Sequence, residues 1–522
     1  MPIAADETRE IQYNEIRIFD NVHGFVRITK AEESIINSTY FQRLRDLKQL
    51  GLGYYMFPGA VHTRFAHSIG VLAVMDRIVS KLREQSREHI SNNDILRLRM
   101  AALLHDIGHY PLSHTLEAVY KKYHKPLIMN LDGGDEADGQ NINVEDRYKN
   151  GTKNASGHHE ELGAYIVKNT DFEGGITHIL RQYEFDDEDI DIIAKTIVGK
   201  SSIHWYNQVL HSDLDADRLD YLMRDSVNTG VEFGGFDFDY IINNCRLIEK
   251  VVSTPTGTEI HKKFCIKESA CFTVEHFLMT RYYWYAKIIY EKQLVLFEKM
   301  AEALYAWLLE NDQVFNYAEI LEEVDSPQKF IFFNDTYFWE KLKWVINKVE
   351  AEILPNHEQF KELAIMILER KGFNKISSST ERELKIVRDT EEIQNEQMQG
   401  ILIQTSATVE QVAALEESQD EIDNEEAVVV EEGVNENQMD DGNIRLVNKI
   451  DVCKTQQEII YRKTVDDPIQ ILLKNGETLN IIDRGYTILK ELSNYRLRIE
   501  RTYECIHNEI NMLKVAEYMN YL

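Results

Sequence analysis

Histidine and aspartate crowd one stretch of this sequence, the segment from His105 to His114 within MAALLHDIGHYPLSH. It enters as an apolar helix, Leu98 to Leu104, and runs directly into His105-Asp106. Burying charged groups costs on the order of several kcal/mol per ion unless they are paired or metal-bound. His109 follows His105 by four residues, on the same face if the helix continues through it. Gly108 removes a side chain beside them, and Pro111 is expected to end the helix. A lone histidine here would read as a hydrogen-bonded core residue. The pattern HD-x-G-H-x-P-x-x-H instead brings His, Asp, His and His to one helix end, which points to metal or proton chemistry.

Three further segments carry groups suited to such a site. Val61 to Val79 resumes as helix, with Arg64 and His67 three apart on one face. A second His-bearing helix fits a metal site assembled from separate helices, and the planar fork of Arg64 suits a phosphate. In Leu210 to Asp225, LHSDLDADRLDYLMRD, the spacing predicts that Asp213, Asp217 and Asp220 share one helical face, with Leu214, Leu219 and Leu222 on the other. Apolar residues interleave too densely for a free surface helix, so some carboxylates must point inward, and Asp217 is the expected fourth metal ligand. His158-His159-Glu160-Glu161 opens another helix; there His159 suits a general acid whose pKa neighbouring carboxylates raise.

The elements that position these groups are mainly helical. Glu15 to Ile28 reads as two short strands about Asn21 to Gly24. Ala31 to Leu50, Val61 to Val79, Asp186 to Val198 and a long aromatic-rich run from Phe272 to Leu309 read as helices. Thr254-Pro255-Thr256-Gly257 and Asn475-Gly476 are hairpin turns between β-rich runs. The expected fold is mainly α, a helical core with small β-hairpins and a small C-terminal α/β subdomain. The domain reading is a flexible N-terminus at 1–13, a catalytic domain at 14–330 with an inserted polar loop at 131–157, a helical region at 331–415, an acidic linker at 416–445 and the C-terminal subdomain at 446–522.

With 522 residues the chain can build a large core, and its 28% charged and 43% hydrophobic content is ordinary for a globular protein. The net charge of −30 argues against nucleic acid as the main partner, because phosphate backbones are bound by net-basic faces. It leaves room for a small anion in a local basic pocket. Five cysteines without C-x-x-C pairing, and no apolar leader or spanning run, imply a cytoplasmic protein with no membrane partner.

Taken together, FDNVHG (Phe19 to Gly24), FQRLRDLKQLG (Phe41 to Gly51), FPGAVHTRFAHSIGV (Phe57 to Val71), HDIGHYPLSH, His159-Glu160 and LDADRLDYLMRD resemble the HD-domain deoxynucleoside triphosphate triphosphohydrolases, without a SAM domain. The resemblance implies that His67, His105, Asp106 and Asp217 hold a divalent transition metal, with Fe, Mn, Zn, Ni and Co all compatible with mixed N/O ligation. It implies Arg64, His109, His114, Arg218 and Arg281 around the triphosphate, which can bring its own Mg2+, and Gln49, Leu50, Tyr221 and Asp225 around the sugar. His109, His114, His159 and Glu117 form the implied proton-transfer group, with His114 the preferred acid. Asn37, Gln42 and Arg45 fall where relatives bind an activating nucleotide, and relatives assemble as tetramers. Glu117, Ile289, Glu291 and Asn37 depart from the family pattern, which has Asp, Tyr, His and Asp there. The implied reaction gives deoxynucleoside and triphosphate. Another HD phosphohydrolase (a nucleotidase or single-strand exonuclease) and a non-catalytic nucleotide sensor are the competing readings.

Overall fold

Alternating side chains in YNEIRIFD and GFVRIT form β1 (Tyr13–Asp20) and β2 (Gly24–Thr29), an antiparallel hairpin that sets Asp20 opposite Gly24. In this computed structural model the described residues are 10–85, 90–123, 158–384 apart from 234, 255–256 and 348–353, then 452–460, and 469–521 apart from 485, 494 and 508–509. The inserted loop at 131–157, the acidic linker at 416–445 and most of the segment 1–13 lie outside them. The second of the chain's two units, Lys385–Asn448, also lies outside the described residues.

Thr29 ends β2 and starts α1 (Lys30–Ile36) through a capping box with Glu32. The single helix expected over Ala31 to Leu50 is instead α1, a short helix Thr39–Gln42 and a 3-10 turn Arg43–Asp46. Ser38 breaks it, because its hydroxyl caps the Phe41 amide and begins a new helix. Then follow α2 (Arg64–Gln85), α3 (Asn92–Leu104), α4 (His114–Tyr123), α5 (His158–Asn169), α6 (Asp187–Ile197) and α7 (Ala216–Thr229). α2 packs on α3 and α7, and α5 packs on α4 and α6. The run expected as one helix from Phe272 is α8 (Cys271–Trp284), a π-turn and α9 (Lys292–Glu310). Glu291 makes the break by capping the amides of Gln293 and Leu294 at 2.7 and 2.9 Å.

The helical region expected at 331–415 gives way at Asn374, where β5 (Asn374–Leu384) begins. Its partner is far along the chain: β9 (Tyr495–Glu504) lies between β5 and β6 (Val452–Ile460). Likewise β7 (Gln470–Leu472) pairs in parallel with β4 (Gly257–Lys267), which forms a hairpin with β3 (Cys245–Thr254), while β8 (Thr478–Asn480) closes the sheet. The C-terminal segment from Lys449 is thus woven into the same unit as the helical core. All five cysteines are buried, and none is in a disulfide. No helix among the described residues is long and apolar enough to cross a membrane.

A buried ion network pins the hairpin to this core. Arg99, fully buried on α3, bonds Glu32 Oε1 and Oε2 at 2.7 and 2.8 Å, the Arg27 carbonyl at 3.0 Å, and Asp76. Arg99→Met strands two acids without their shared cation, a loss of about 3–5 kcal/mol. Urea unfolding should show it; a wild-type midpoint would contradict this account. Glu298 on α9 behaves oppositely. Burial, reinforced by Glu302 one turn on, pushes its carboxyl up to about 8. An unfolded glutamate loses its proton near pH ~4.3. The folded chain therefore binds the extra proton between those values, and stability present below the lower one is lost as pH rises through the upper one. Glu298→Gln should gain Tm over the wild type increasingly from acid to pH 8; a pH-independent difference would refute it.

Candidate metal centre and proton-transfer cluster

α3 ends at Leu104 with His105 at its C-cap, so His109 is not on the helix as expected but in the loop beyond it. That loop turns sharply: Leu112 and Ser113 both hold positive φ, 53° and 57°, before α4 begins at His114. Such strain costs on the order of 1–3 kcal/mol per residue and persists only where the surroundings over-determine it. Two groups do so. Arg43, a fully buried cation, donates to the carbonyls of Ile107, His109 and Phe333 at 2.6, 2.9 and 2.7 Å. Asp335 accepts the Leu112 amide at 2.8 Å and the Lys48 amide at 3.0 Å. Gly108 is required because a Cβ there would collide with the His159 carbonyl and the Gly163 amide of α5.

The loop, α2 and α7 converge their predicted ligands. His67 Nε2 lies 3.3 Å from His105 Nε2 and 3.0 Å from Asp217 Oδ1. Asp106 Oδ1 is 3.4 Å from His105 Nε2, and Asp106 Oδ2 is 3.7 Å from His67 Nε2. Ligands about 2.0–2.2 Å from one ion are roughly 3.0–3.5 Å from each other; the His67–His105, His67–Asp217 and His105–Asp106 spacings meet that, while His67–Asp106 at 3.7 Å and His105–Asp217 at 3.9 Å are wider. The donor chemistry agrees. His105 Nδ1 faces the Ala102 carbonyl at 2.8 Å and His67 Nδ1 faces Asp220 at 2.7 Å, so both rings turn Nε2 inward. Burial disfavours a charged His67, yet Asp217, Asp220 and Asp106 outweigh it and push its pKa up to about 10. The pocket therefore demands positive charge, from a proton or from a metal.

A second cluster abuts the first. The His109 and His159 rings stack at 3.9 Å and 17°, and His114 meets both edge-on. Glu117, buried on α4, accepts from His159 Nδ1 at 2.9 Å and the His159 amide at 3.2 Å on one oxygen, and from His114 Nδ1 at 2.8 Å on the other. Burial opposes charge on His159, but Glu117, with Glu160 and Asp106, raises its pKa above the ordinary imidazole value. His109 is the reverse: burial, with Arg64 and His159, holds it well below that value. Neither His109 ring nitrogen has a hydrogen bond among the described residues, although Nε2 lies 3.3 Å from Asp106 Oδ1.

The predicted phosphate-binding arginines are each paired with a carboxylate. Arg64 reaches Asp106 Oδ2 at 2.8 Å, Ser113 Oγ at 3.0 Å and the Gln49 carbonyl at 3.3 Å. Arg218 bonds Asp215, and Arg281 bonds Asp213 Oδ1 at 2.9 Å. Asp213 and Asp215 precede α7, with Asp215 as its cap, so Asp213 does not share the helical face with Asp217 and Asp220 as expected. Tyr221 packs on Trp284 at 4.7 Å. Asp225 is fully buried between His62 Nε2 at 2.7 Å and Trp284 Nε1 at 2.8 Å. Gln49 and Leu50 are buried beside Arg64 and Gly53. Asn37, Gln42 and Arg45 lie at the break after α1, where Arg45 bonds Gln42 Oε1 at 2.8 Å and covers the Phe65 ring. Sequence reasoning missed Arg43, Asp335, His23 and His62. His23, Arg43 and His62 carried a sign only by lying inside FDNVHG, FQRLRDLKQLG and FPGAVHTRFAHSIGV, and Asp335 carried none.

The family model described as "HD domain" matches residues 64–225, the part of this helical scaffold that holds the histidine–aspartate centre. The chain is similar to the deoxynucleoside triphosphate triphosphohydrolase SAMHD1 of Homo sapiens, 29% identical over 253 residues, 44% of this chain and 36% of the human one. The uncharacterized protein YwfO of Bacillus subtilis is 31% identical over 281 residues, 53% of this chain and 52% of its own. The chain spans 64% and 52% of the lengths of the first two curated relatives it matches. A solved phosphohydrolase from Bacteroides thetaiotaomicron has the same fold, with TM-score 0.58 at 21% identity over 94% of this chain and 100% of that one.

Proposed function

We propose that this chain is a metal-dependent phosphohydrolase acting on deoxynucleoside triphosphates, in which water replaces the 5′-oxygen at the α-phosphorus and deoxynucleoside and triphosphate leave. One observation carries the reading. Asp106 Oδ1 touches both clusters, 3.4 Å from His105 Nε2 and 3.3 Å from His109 Nε2, so the metal ligands and the proton-transfer residues serve one reacting centre. A divalent cation held by His67, His105, Asp106 and Asp217 would supply a Lewis acid and a water acidified toward neutrality. The remaining work belongs to the chain's own groups. Arg64, already on Asp106, places a phosphate oxygen beside those ligands, with Arg218 and Arg281 along the polyanion. The leaving 5′-oxygen takes a proton from the imidazoles that share Glu117. His114, two-thirds exposed, faces the substrate side, and buried His159 keeps Glu117 charged beside it. Asp225, with its orientation fixed from both sides, offers its remaining lone pairs to a 3′-hydroxyl, and Leu50 crowds a 2′-hydroxyl. Asn37, Gln42 and Arg45 take a regulatory nucleotide, and the working form is a homo-oligomer.

The test is product analysis of each dNTP, singly and mixed, with Mn2+ or Mg2+. Deoxynucleoside and triphosphate are expected, and activity confined to mixtures would reveal an activating nucleotide. Release of dNMP and pyrophosphate would overturn the assigned bond. Turnover restricted to monophosphates or oligonucleotides would move the chain to the nucleotidase or exonuclease reading.

A further inference from the structure

The two metal-facing histidines are not supported alike. His105 rests its Nδ1 on a neutral carbonyl, that of Ala102. His67 rests its Nδ1 on a carboxylate, Asp220, which is fully buried on α7 one turn after Asp217. Asp220 is itself braced from two directions. His23 Nε2 meets its Oδ1 at 2.7 Å, and Arg224 grips both oxygens, Nε on Oδ2 at 2.8 Å and Nη2 on Oδ1 at 2.9 Å. Arg224 continues to Asp20 at 3.0 Å and to the Asn21 side chain at 3.3 Å. A chain of buried contacts therefore runs from the turn of the β1–β2 hairpin to a metal-facing imidazole. Gly70 on α2, three residues after His67, leaves the passage open. A Cβ there would collide with Asp220 Oδ1 and Arg224 Nη2.

An ion pair between Asp220 and Arg224 alone would need neither His23 on Oδ1 nor the His67 ring on Oδ2. The fourfold engagement has a different consequence. An acceptor on Nδ1 keeps the proton there, leaves the lone pair on Nε2, and fixes the ring plane; a charged acceptor also makes Nε2 a stronger donor. We infer that Asp220, braced by His23 and Arg224 and admitted by Gly70, is the positioning residue for His67. The β1–β2 hairpin is thereby a working part of the metal centre. The inference rests on the reading of His67 as a ligand, and the experiment separates the two.

The full chain, stripped of metal, is titrated with Co2+ while bound cobalt and its visible absorption bands are recorded. His67→Ala, Asp220→Asn and His23→Gln are treated alike, and each variant's melting curve is taken. His67→Ala is expected to lose the cobalt spectrum. Asp220→Asn should bind Co2+ about 10–100-fold more weakly with altered bands, and His23→Gln should shift both in the same direction by less. If His67→Ala binds Co2+ like the wild type, the metal-site reading falls, and this inference with it. If His67→Ala fails but folded Asp220→Asn keeps wild-type affinity and bands, the ligand stands and the positioning role is overturned. Should Asp220→Asn not fold, His23→Gln decides: unchanged affinity and bands reject the relay, and weakened binding at an unchanged melting point supports it.

Discussion

His105→Ala is expected to lower turnover by more than the roughly 10²–10⁴-fold that loss of one acid–base group causes, and to release the bound divalent metal. His105 Nε2 sits 3.3 Å from His67 Nε2 and 3.4 Å from Asp106 Oδ1, so its removal opens one side of the ligand set. The cation would carry both the nucleophilic water and the charge stabilisation, so no residual step on the chain replaces it. His105 is a cleaner choice than Asp106, whose carboxylate also anchors Arg64 and faces His109. Among the described residues the ring's one hydrogen bond outside the cluster goes to the Ala102 carbonyl, so the fold should survive. Metal content by plasma emission and kcat/KM on one preparation check this. A variant that keeps both metal and rate would end the metal assignment.

Glu117→Gln is expected to cut kcat by roughly 10²–10⁴-fold while leaving metal content unchanged. The carboxylate joins His159 on one oxygen to His114 on the other, and Lys121 also lies 2.9 Å from it. Despite burial, the histidines hold Glu117 well below the usual carboxylate range, and Glu117 in turn raises His159. A raised imidazole pKa keeps the acid form to higher pH. A neutral amide removes that support, so activity should be lost at lower pH as the solution is made basic. The pH dependence of kcat measures the shift. A variant with wild-type kcat and an unmoved basic limb would remove Glu117 from proton transfer.

The candidate ligands were legible as a group because each lies in a dense local pattern: His105-Asp106 closes an apolar helix, and Asp217 sits in LDADRLDYLMRD where apolar residues leave no free face. The hairpins were legible from alternation and turn residues. Harder to see was the supporting frame. Arg43 reads as one more helix arginine in FQRLRD, yet it is buried and clamps the carbonyls of Ile107 and His109 from a 3-10 turn. Asp335 lies more than two hundred residues from the Leu112 amide it accepts. Helical periodicity also carried His109 onto α3 and joined α8 to α9, because period alone does not register a capping side chain such as Glu291 or a loop held against its own strain.

The sequence by itself determined which chemistry was present: imidazoles and carboxylates too concentrated to be core, on helices whose apolar faces had to pack. Residue type and local spacing are properties of short windows, and the donor set is a matter of type. Only the tertiary structure decided which oxygen meets which nitrogen. It paired Arg64, Arg218 and Arg281 with acids, turned both Nε2 atoms inward, and wove the C-terminal strand β9 against β5. Those outcomes depend on contacts between segments remote in sequence, fixed by burial and hydrogen-bond satisfaction across the whole core, and no local pattern encodes them.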